Sequence, residues 1–404
     1  MFRVVFVAVY YNNIWKAQNF PFIAQLLFYE NGTQYNQTLI LNSNYEVDPA
    51  LLAEQGLPYY ASTWVIWLLG SNLASLSHFD GETSEINCLK SQSLSATFTH
   101  LLLWNRDDLC SAWGWMTLPI IKQWWANFDW KVWQADGMRK QDIDDEKIDP
   151  HYKLMLKYPD VPNSWYFLVF LTSFTIALVI LYQTNSTLPW WGFIVSLLLA
   201  TISILFFGAI YAITGIQIII QTFVQMIGGY LHPGKPVANM YFVLYSFNTV
   251  TQAQLLLRDL KIAQYAKLPP RAAFTAQILG TLLGAVLNFG ACFIPLNTPL
   301  SIDSAKVMMN SIIDNQREIL LSVQGTNIWS GQQPQQYNSQ AIVWGGLSHE
   351  LFSAGQRYQW VPLAFVLGFV VPVPFWLLHR YWPKLRAGYL NTPVIAYVTG
   401  YLNC

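Results

Sequence analysis

The chain has 404 residues, 53% of them hydrophobic and only 11% charged, with a formal net charge of zero. A soluble domain carries about 25% charged residues, so most of this surface cannot face water, and zero net charge gives no electrostatic reason to expect a nucleic-acid partner. The four cysteines, Cys88, Cys110, Cys292 and Cys404, lie far apart without CxxC spacing, which argues against a disulfide framework or a zinc site.

A membrane span needs about 20 mostly apolar residues. Residues 1–10 are apolar but too few, and no small-residue cleavage site follows them. They read as the end of a helix rather than a signal peptide. Residues 12–58 are polar and hold a single Lys/Arg, Lys16. Two glycosylation sequons fall there, at Asn31 and Asn36. A third, at Asn185, lies on a turn between spans.

Residues 59–74 open an apolar span, and 96–104 look like its second half. Between them 78–95 is polar, charged and unpatterned, which is not viable for lipid-exposed backbone. Ser-Leu-Ser flanks it at 75–77 and 93–95, and without these 18 residues one helix of 28 residues remains. The segment therefore reads as an aberrant insert, a translated intron or similar error; the alternative is a genuine loop splitting the helix.

Residues 105–163 contain eight Lys/Arg. Positive loops stay in the cytoplasm, so 12–58 is expected to be an extracellular loop and 105–163 a cytoplasmic loop. The acidic run 142–149 reads as a solvated linker. Clear spans follow at 165–182, 190–213, 272–293 and 361–378. Segments 216–231 and 237–257 are more polar but helical in pattern, and 341–352 has the length of a half-helix or re-entrant piece. Residues 332–340 form a polar loop. The 18 Trp and 22 Tyr suit interfacial belts.

Polar residues inside spans mark candidate sites. Gln217, Gln221 and Gln225 recur at i, i+4, i+8, and Tyr241, Tyr245, Asn248 and Gln252 at i, i+4, i+7, i+11. Amides both donate and accept, which suits a peptide backbone; the competing reading is hydrogen bonding between helices. His232-Pro233-Gly234-Lys235-Pro236 breaks two helical pieces. Lys235 there is a candidate for a peptide carboxylate or an interfacial anchor. His349 and Glu350 form the best ionisable pair for proton coupling, with His100 second. Gly280 and Gly284 make a GxxxG suited to helix packing. No GxSxG, HExxH, GxGxxG or Walker A occurs, so neither an enzyme nor a bound cofactor is expected.

Lys267-Leu268-Pro269-Pro270-Arg271 reads as a break between two spans, with cations at headgroup level. Together with His232 to Asn239, Asn391-Thr392-Pro393-Val394-Ile395 and Tyr10-Tyr11-Asn12-Asn13-Ile14-Trp15, it resembles the oligopeptide transporter (OPT) family, in its fungal and plant peptide branch. The resemblance covers nearly the whole chain apart from 78–95. The family's usual motifs have Ile at Leu268 and Arg at Lys235, exchanges that keep the physical type. The resemblance implies an all-α, polytopic transmembrane bundle that takes up small or glutathione-like peptides by proton symport, at the plasma membrane. It also implies that the chain is an incomplete C-terminal portion, because the family has more helices and an Asn-Pro-Gly motif that is missing here. Two alternatives stay open: a carrier of metal chelates or siderophores from a related branch, and a non-transporting truncated fragment. Sequencing of the mature message is expected to show the 18 codons for 78–95 missing; their presence in translated message would make the segment a genuine loop.

Overall fold

The computed structural model describes residues 2–21, 26–62, 64–66, 68–69, 99–100, 102–104, 106, 122, 150–184, 186–214, 220–291 and 337–382. The expectations for 78–95, 142–149, 391–395, Asn185, Gln217 and most of 105–163 lie outside them. The described architecture is helical. In chain order it comprises α1 (Phe2–Tyr11), β1 (Leu27–Phe28), α2 (Pro49–Gln55), β2 (Tyr59–Tyr60), α3 (Pro150–Met155), α4 (Asn163–Gln183), α5 (Trp190–Thr214), α6 (Gln221–Leu231), α7 (Pro236–Val243), α8 (Thr249–Tyr265), α9 (Pro270–Ala291), α10 (Ser348–Phe352), α11 (Trp360–Val370) and α12 (Pro372–Tyr381). Two 3-10 turns, Ile14–Asn19 and Gln37–Ile40, and two π-helical stretches, Leu244–Asn248 and Ala341–Gly346, complete it.

Four stretches among the described residues are long and apolar enough to cross a membrane: Asn163–Gln183, Trp190–Gly208, Pro270–Leu287 and Trp360–Tyr381. In α4 the apolar residues occupy every side of the helix, and Leu168 is 64% exposed. Such a surface belongs in lipid. Its threonines are satisfied locally: Thr172 donates to Leu168 O and Thr175 to Leu171 O, so neither hydroxyl meets hydrocarbon unpaired.

The chain divides into two compact units. The first comprises 1–124, 183–254 and 336–404, and the second 125–182 and 255–335. In the second, α8 and α9 meet at the Lys267–Arg271 motif, beside α3 and the start of α4. His151 packs on Tyr265, and Trp165 and Tyr166 pack on Phe274.

In the first unit the segment 339–348 is buried at every position. Ile342, Val343, Trp344 and Leu347 enter one cluster with Leu27, Tyr35, Ile40, Tyr60, Trp64 and Tyr358. Residues 12–58 are thus not a loose loop but a folded cap on 337–361. The sequence places the start of a span at 59; instead Tyr59 and Tyr60 pair antiparallel with Phe28 and Leu27, and helix begins at Ser62. The pairing ties the two ends of the cap together.

Glycine sets the closest approaches. A Cβ at Gly229 would lie 1.8 Å from the Trp344 carbonyl oxygen; at Gly228 it would meet Phe242 and Asn239; at Gly345 and Gly346 it would meet Asn239, Pro236 and Val47. At Gly280 and Gly284 an added Cβ meets nothing within 4 Å among the described residues. Close packing between the short helices falls on the adjacent pairs Gly228-Gly229 and Gly345-Gly346, with Gly192 likewise tight against His232, and the GxxxG of α9 takes no part in it there. Gly229→Ala should destabilise the protein by at least the roughly 3 kcal/mol at the upper end of ordinary overpacking. Gly280→Ala should be neutral or stabilising, since Ala exceeds Gly in helix preference by about 1 kcal/mol. Thermal unfolding of the two variants in detergent checks both.

Candidate functional site

The break between α6 and α7 is built by its own residues. His232 caps α6, with its amide on Gly228 O. Gly234 takes φ +76, a backbone that glycine adopts without strain. Pro236 opens α7, where its missing N–H costs nothing. The freed backbone groups find partners: Lys235 N donates to Gly345 O at 3.2 Å, and Gly234 O accepts from Val47 N at 2.9 Å. Irregular backbone near membrane depth requires such satisfaction.

Around this break lies a polar network between three short helices. Gln225 Nε2 donates to Gln340 Oε1 at 3.1 Å, Asn239 Nδ2 to Gln225 O at 3.2 Å, and Ser348 Oγ to Gly229 O at 3.0 Å. The network leaves acceptor capacity, because buried Asn239 Oδ1 has no partner. His232, 4% exposed, stacks on Trp191 with ring centroids 4.8 Å apart; its Nε2 is likewise without a partner.

Of the glutamines expected to share a face, Gln225 is buried in the network and Gln221 half-buried at the start of α6. Tyr241 and Tyr245 are half-buried; the Tyr241 hydroxyl donates to Thr184 Oγ1 at 3.0 Å, and Tyr245 stands edge-on to Phe193. Asn248 and Gln252 are exposed. The four do not follow one α-helical stripe, because Tyr245 and Asn248 lie in the π-helical stretch Leu244–Asn248 while Tyr241 precedes it and Gln252 follows it. Hydroxyls of Ser246 and Thr249 bond back to Phe242 O and Tyr245 O, a pattern that bends helices. Lys235 Nζ lies 3.0 Å from a Glu46 carboxylate oxygen, both partly exposed. His349 and Glu350 are exposed on α10, with the His349 ring edge-on to Tyr230. His100 is buried and stacked on Trp104. Among the described residues no group of three His, Cys, Asp or Glu could hold a metal ion.

The sequons are ordered turns. Asn31 and Asn36 are exposed, and each Oδ1 accepts from the amide and hydroxyl of the threonine two residues on. Each Nδ2, the atom a glycan would modify, is left out of these bonds.

The Lys267–Arg271 motif is a helix hairpin with both ends capped. Lys267 N donates to Gln264 O and Leu268 N to Ala263 O, at 3.1 and 2.9 Å. That is a Schellman stop, with Lys267 at φ +59 in the place glycine usually takes. Pro269 follows the stop, Pro270 begins α9, and Arg271 Nε donates to Asp160 O at 3.0 Å. In the Tyr10–Trp15 motif Asn13 plays a comparable part: it takes φ +50 just past α1, and its side chain accepts from Gln18 N.

Sequence reasoning gave no role to Glu46, His232 or Asn239. The last two carried a signal, since both flank the Pro-Gly break. Glu46 carried none, because its partner is 189 residues away in the chain.

Several long apolar helices and a broken helix sealed by glycine packing define a polytopic helical membrane protein. The chain belongs to the OPT family: the family model "OPT oligopeptide transporter protein" matches residues 1–404. Oligopeptide transporter 3 of Arabidopsis thaliana is 28% identical over 98% of this chain and 46% of its own length. Oligopeptide transporter 7 of the same plant is also 28% identical, over 98% of this chain and 44% of its own. Glutathione transporter 1 of Schizosaccharomyces pombe is 27% identical over 98% and 39%. The chain thus spans less than half the length of these relatives. No solved structure matches.

Lysine at φ +59 is strained by roughly 1 kcal/mol relative to glycine. Lys267→Gly should therefore raise thermal stability by about that amount, whereas Lys267→Ala should not; melting of the two variants in detergent checks this.

Proposed function

We propose that the protein moves small peptides across a membrane, with Tyr241, Tyr245, Asn248 and Gln252 along the path and Lys235 receiving the peptide carboxylate. The observation that carries this reading is the break at 232–235. It presents a lysine, a helix start and unsatisfied amide capacity at one place, in a chain of the OPT family. Transporters bind at such breaks because helix ends are exposed there. A peptide brings a carboxylate, an amine and a row of amides; the cation suits the first, and carboxamides and phenols suit the last.

Glutathione, carried in the name of one relative, is a peptide of this size, and it sets the substrate class of the proposal. Proton coupling is assigned to His349 and Glu350, with His100 as the second candidate, and the plasma membrane is the proposed location. The cap 12–58 faces outside with its sequons modified, and 105–163 faces the cytoplasm. The distribution of one Lys/Arg against eight supports that orientation.

Asn248 tests the path. It is exposed beside the π-helical turn, so its amide has room for a ligand. Asn248→Ala should weaken apparent peptide affinity several-fold in uptake assays on expressing cells while leaving the protein level unchanged, because water replaces the amide. Lower protein with unaltered affinity for several peptides would make Asn248 a packing residue instead. Cells expressing the chain with no peptide uptake above background would end the functional reading.

A further inference from the structure

The contact between the cap and the broken helix is made by a preformed finger. Residues 41–47 fold back on themselves: Leu41 and Val47 form an antiparallel bridge, and Asn42 N donates to Glu46 O at 2.9 Å. The Asn42 carboxamide oxygen accepts from both Asn44 N and Glu46 N, each at 2.9 Å. Tyr45 takes φ +59 at the turn, and the base is anchored by fully buried Ile40, whose carbonyl accepts from Asp48 N. The finger is therefore rigid before it touches anything else.

It meets the break at three points. Val47 N donates to Gly234 O at 2.9 Å. The Val47 side chain sits over Gly346, where an added Cβ would lie 2.7 Å from it. Glu46 places a carboxylate 3.0 Å from Lys235 Nζ. A carboxylate held by backbone geometry against the one lysine of the break is chemically what the C-terminus of a peptide would be.

We infer that Glu46 occupies the position of the peptide carboxylate, so that the finger closes the break when no substrate is present and competes with substrate for Lys235. The inference rests on the transport reading above and adds a gate to it. A peptide with a free C-terminus displaces Glu46 from Lys235 and takes over its ion pair, and the finger leaves with the displaced carboxylate. A peptide whose C-terminus is amidated cannot replace that ion pair and must open the finger without compensation. Glu46 thus sets an opening cost that every peptide meets and that only a free carboxylate recovers, through Lys235.

The test is binding to the full chain in lipid nanodiscs, with tetra-alanine and tetra-alanine amide as probes. An exposed ion pair contributes little, so Glu46→Gln should tighten binding of both probes by only about two- to fivefold, because both must open the finger. Lys235→Gln should abolish the preference for acid over amide. The exchange Glu46→Lys with Lys235→Glu keeps the finger's ion pair but should reverse the preference, and it controls for folding. Unchanged binding of both probes in Glu46→Gln, or an acid preference that survives Lys235→Gln, would overturn the competition while leaving peptide transport itself intact. Failure of the unaltered chain to bind either probe would overturn both.

Discussion

The first unit depends on the approach of one backbone to another at Gly229, where the Trp344 carbonyl leaves no room for a side chain. Short, broken helices cannot be held by hydrophobic sequestration within lipid, because hydrocarbon tails are as apolar as leucine. They are held by close packing and by hydrogen bonds between helices. Both are present here. Gly228, Gly229, Gly345 and Gly346 remove the side chains that would keep three helical pieces apart. The pieces then satisfy one another through Gln225–Gln340, Asn239–Gln225 and Ser348–Gly229. The buried run 339–348 is the common surface on which the broken helix and the cap both rest.

The cap attaches to that surface with unequal strength along its length. One end is held by buried groups: Tyr60 N donates to the buried Tyr358 hydroxyl at 3.0 Å, and Arg357 lies 3.5 Å over the Tyr59 ring while its Nη1 donates to Pro58 O. Burial first, with the neighbouring Tyr59 adding to it, pushes the Tyr358 hydroxyl up to about 12, so it stays a neutral partner across the physiological range. The opposite edge is held by exchangeable polar contacts, Gln37 with Ser339 and Asn338 and Glu46 with Lys235. The Glu46–Lys235 pair, partly exposed at both ends, contributes little. The cap is thus firm at 57–60 and at Ile40, with the exchangeable contacts confined to Gln37 and Glu46.

Much of this was legible in the sequence, and what was not has a definite cause. The spans were legible because a uniformly apolar run of about 20 residues matches the thickness of the hydrocarbon core and little else in a folded chain requires it; α4, α5 and α9 start within two residues of the expected positions. The break at 232–236 was legible from its prolines and glycine. The folded state of 12–58 was not, because its core is completed by residues about 300 positions on, as in the Tyr60–Tyr358 and Gln37–Ser339 bonds. The π-helical turns have no periodicity signal, so the polar residues 241–252 read as a cleaner stripe than they form. The GxxxG of α9 was a spacing without a partner among the described residues, whereas the glycines that pack, the pairs 228–229 and 345–346 and the lone Gly192, follow no spacing rule. The Schellman stop at Lys267 was hidden because lysine sits where glycine is expected.

The central claim is that cap, broken helix and 339–348 form one closed arrangement that must come apart for a peptide to pass. Cysteines at Gln37 and Ser339, whose side chains touch at 2.8 Å, test it directly in a background where Cys88, Cys110, Cys292 and Cys404 are replaced by serine. A short thiol cross-linker applied to intact cells should join the pair efficiently without peptide, abolish uptake once it is joined, and join it more slowly when saturating peptide is present. A pair that fails to cross-link in the membrane, or a cross-linked protein that takes up peptide at the unmodified rate, would contradict it.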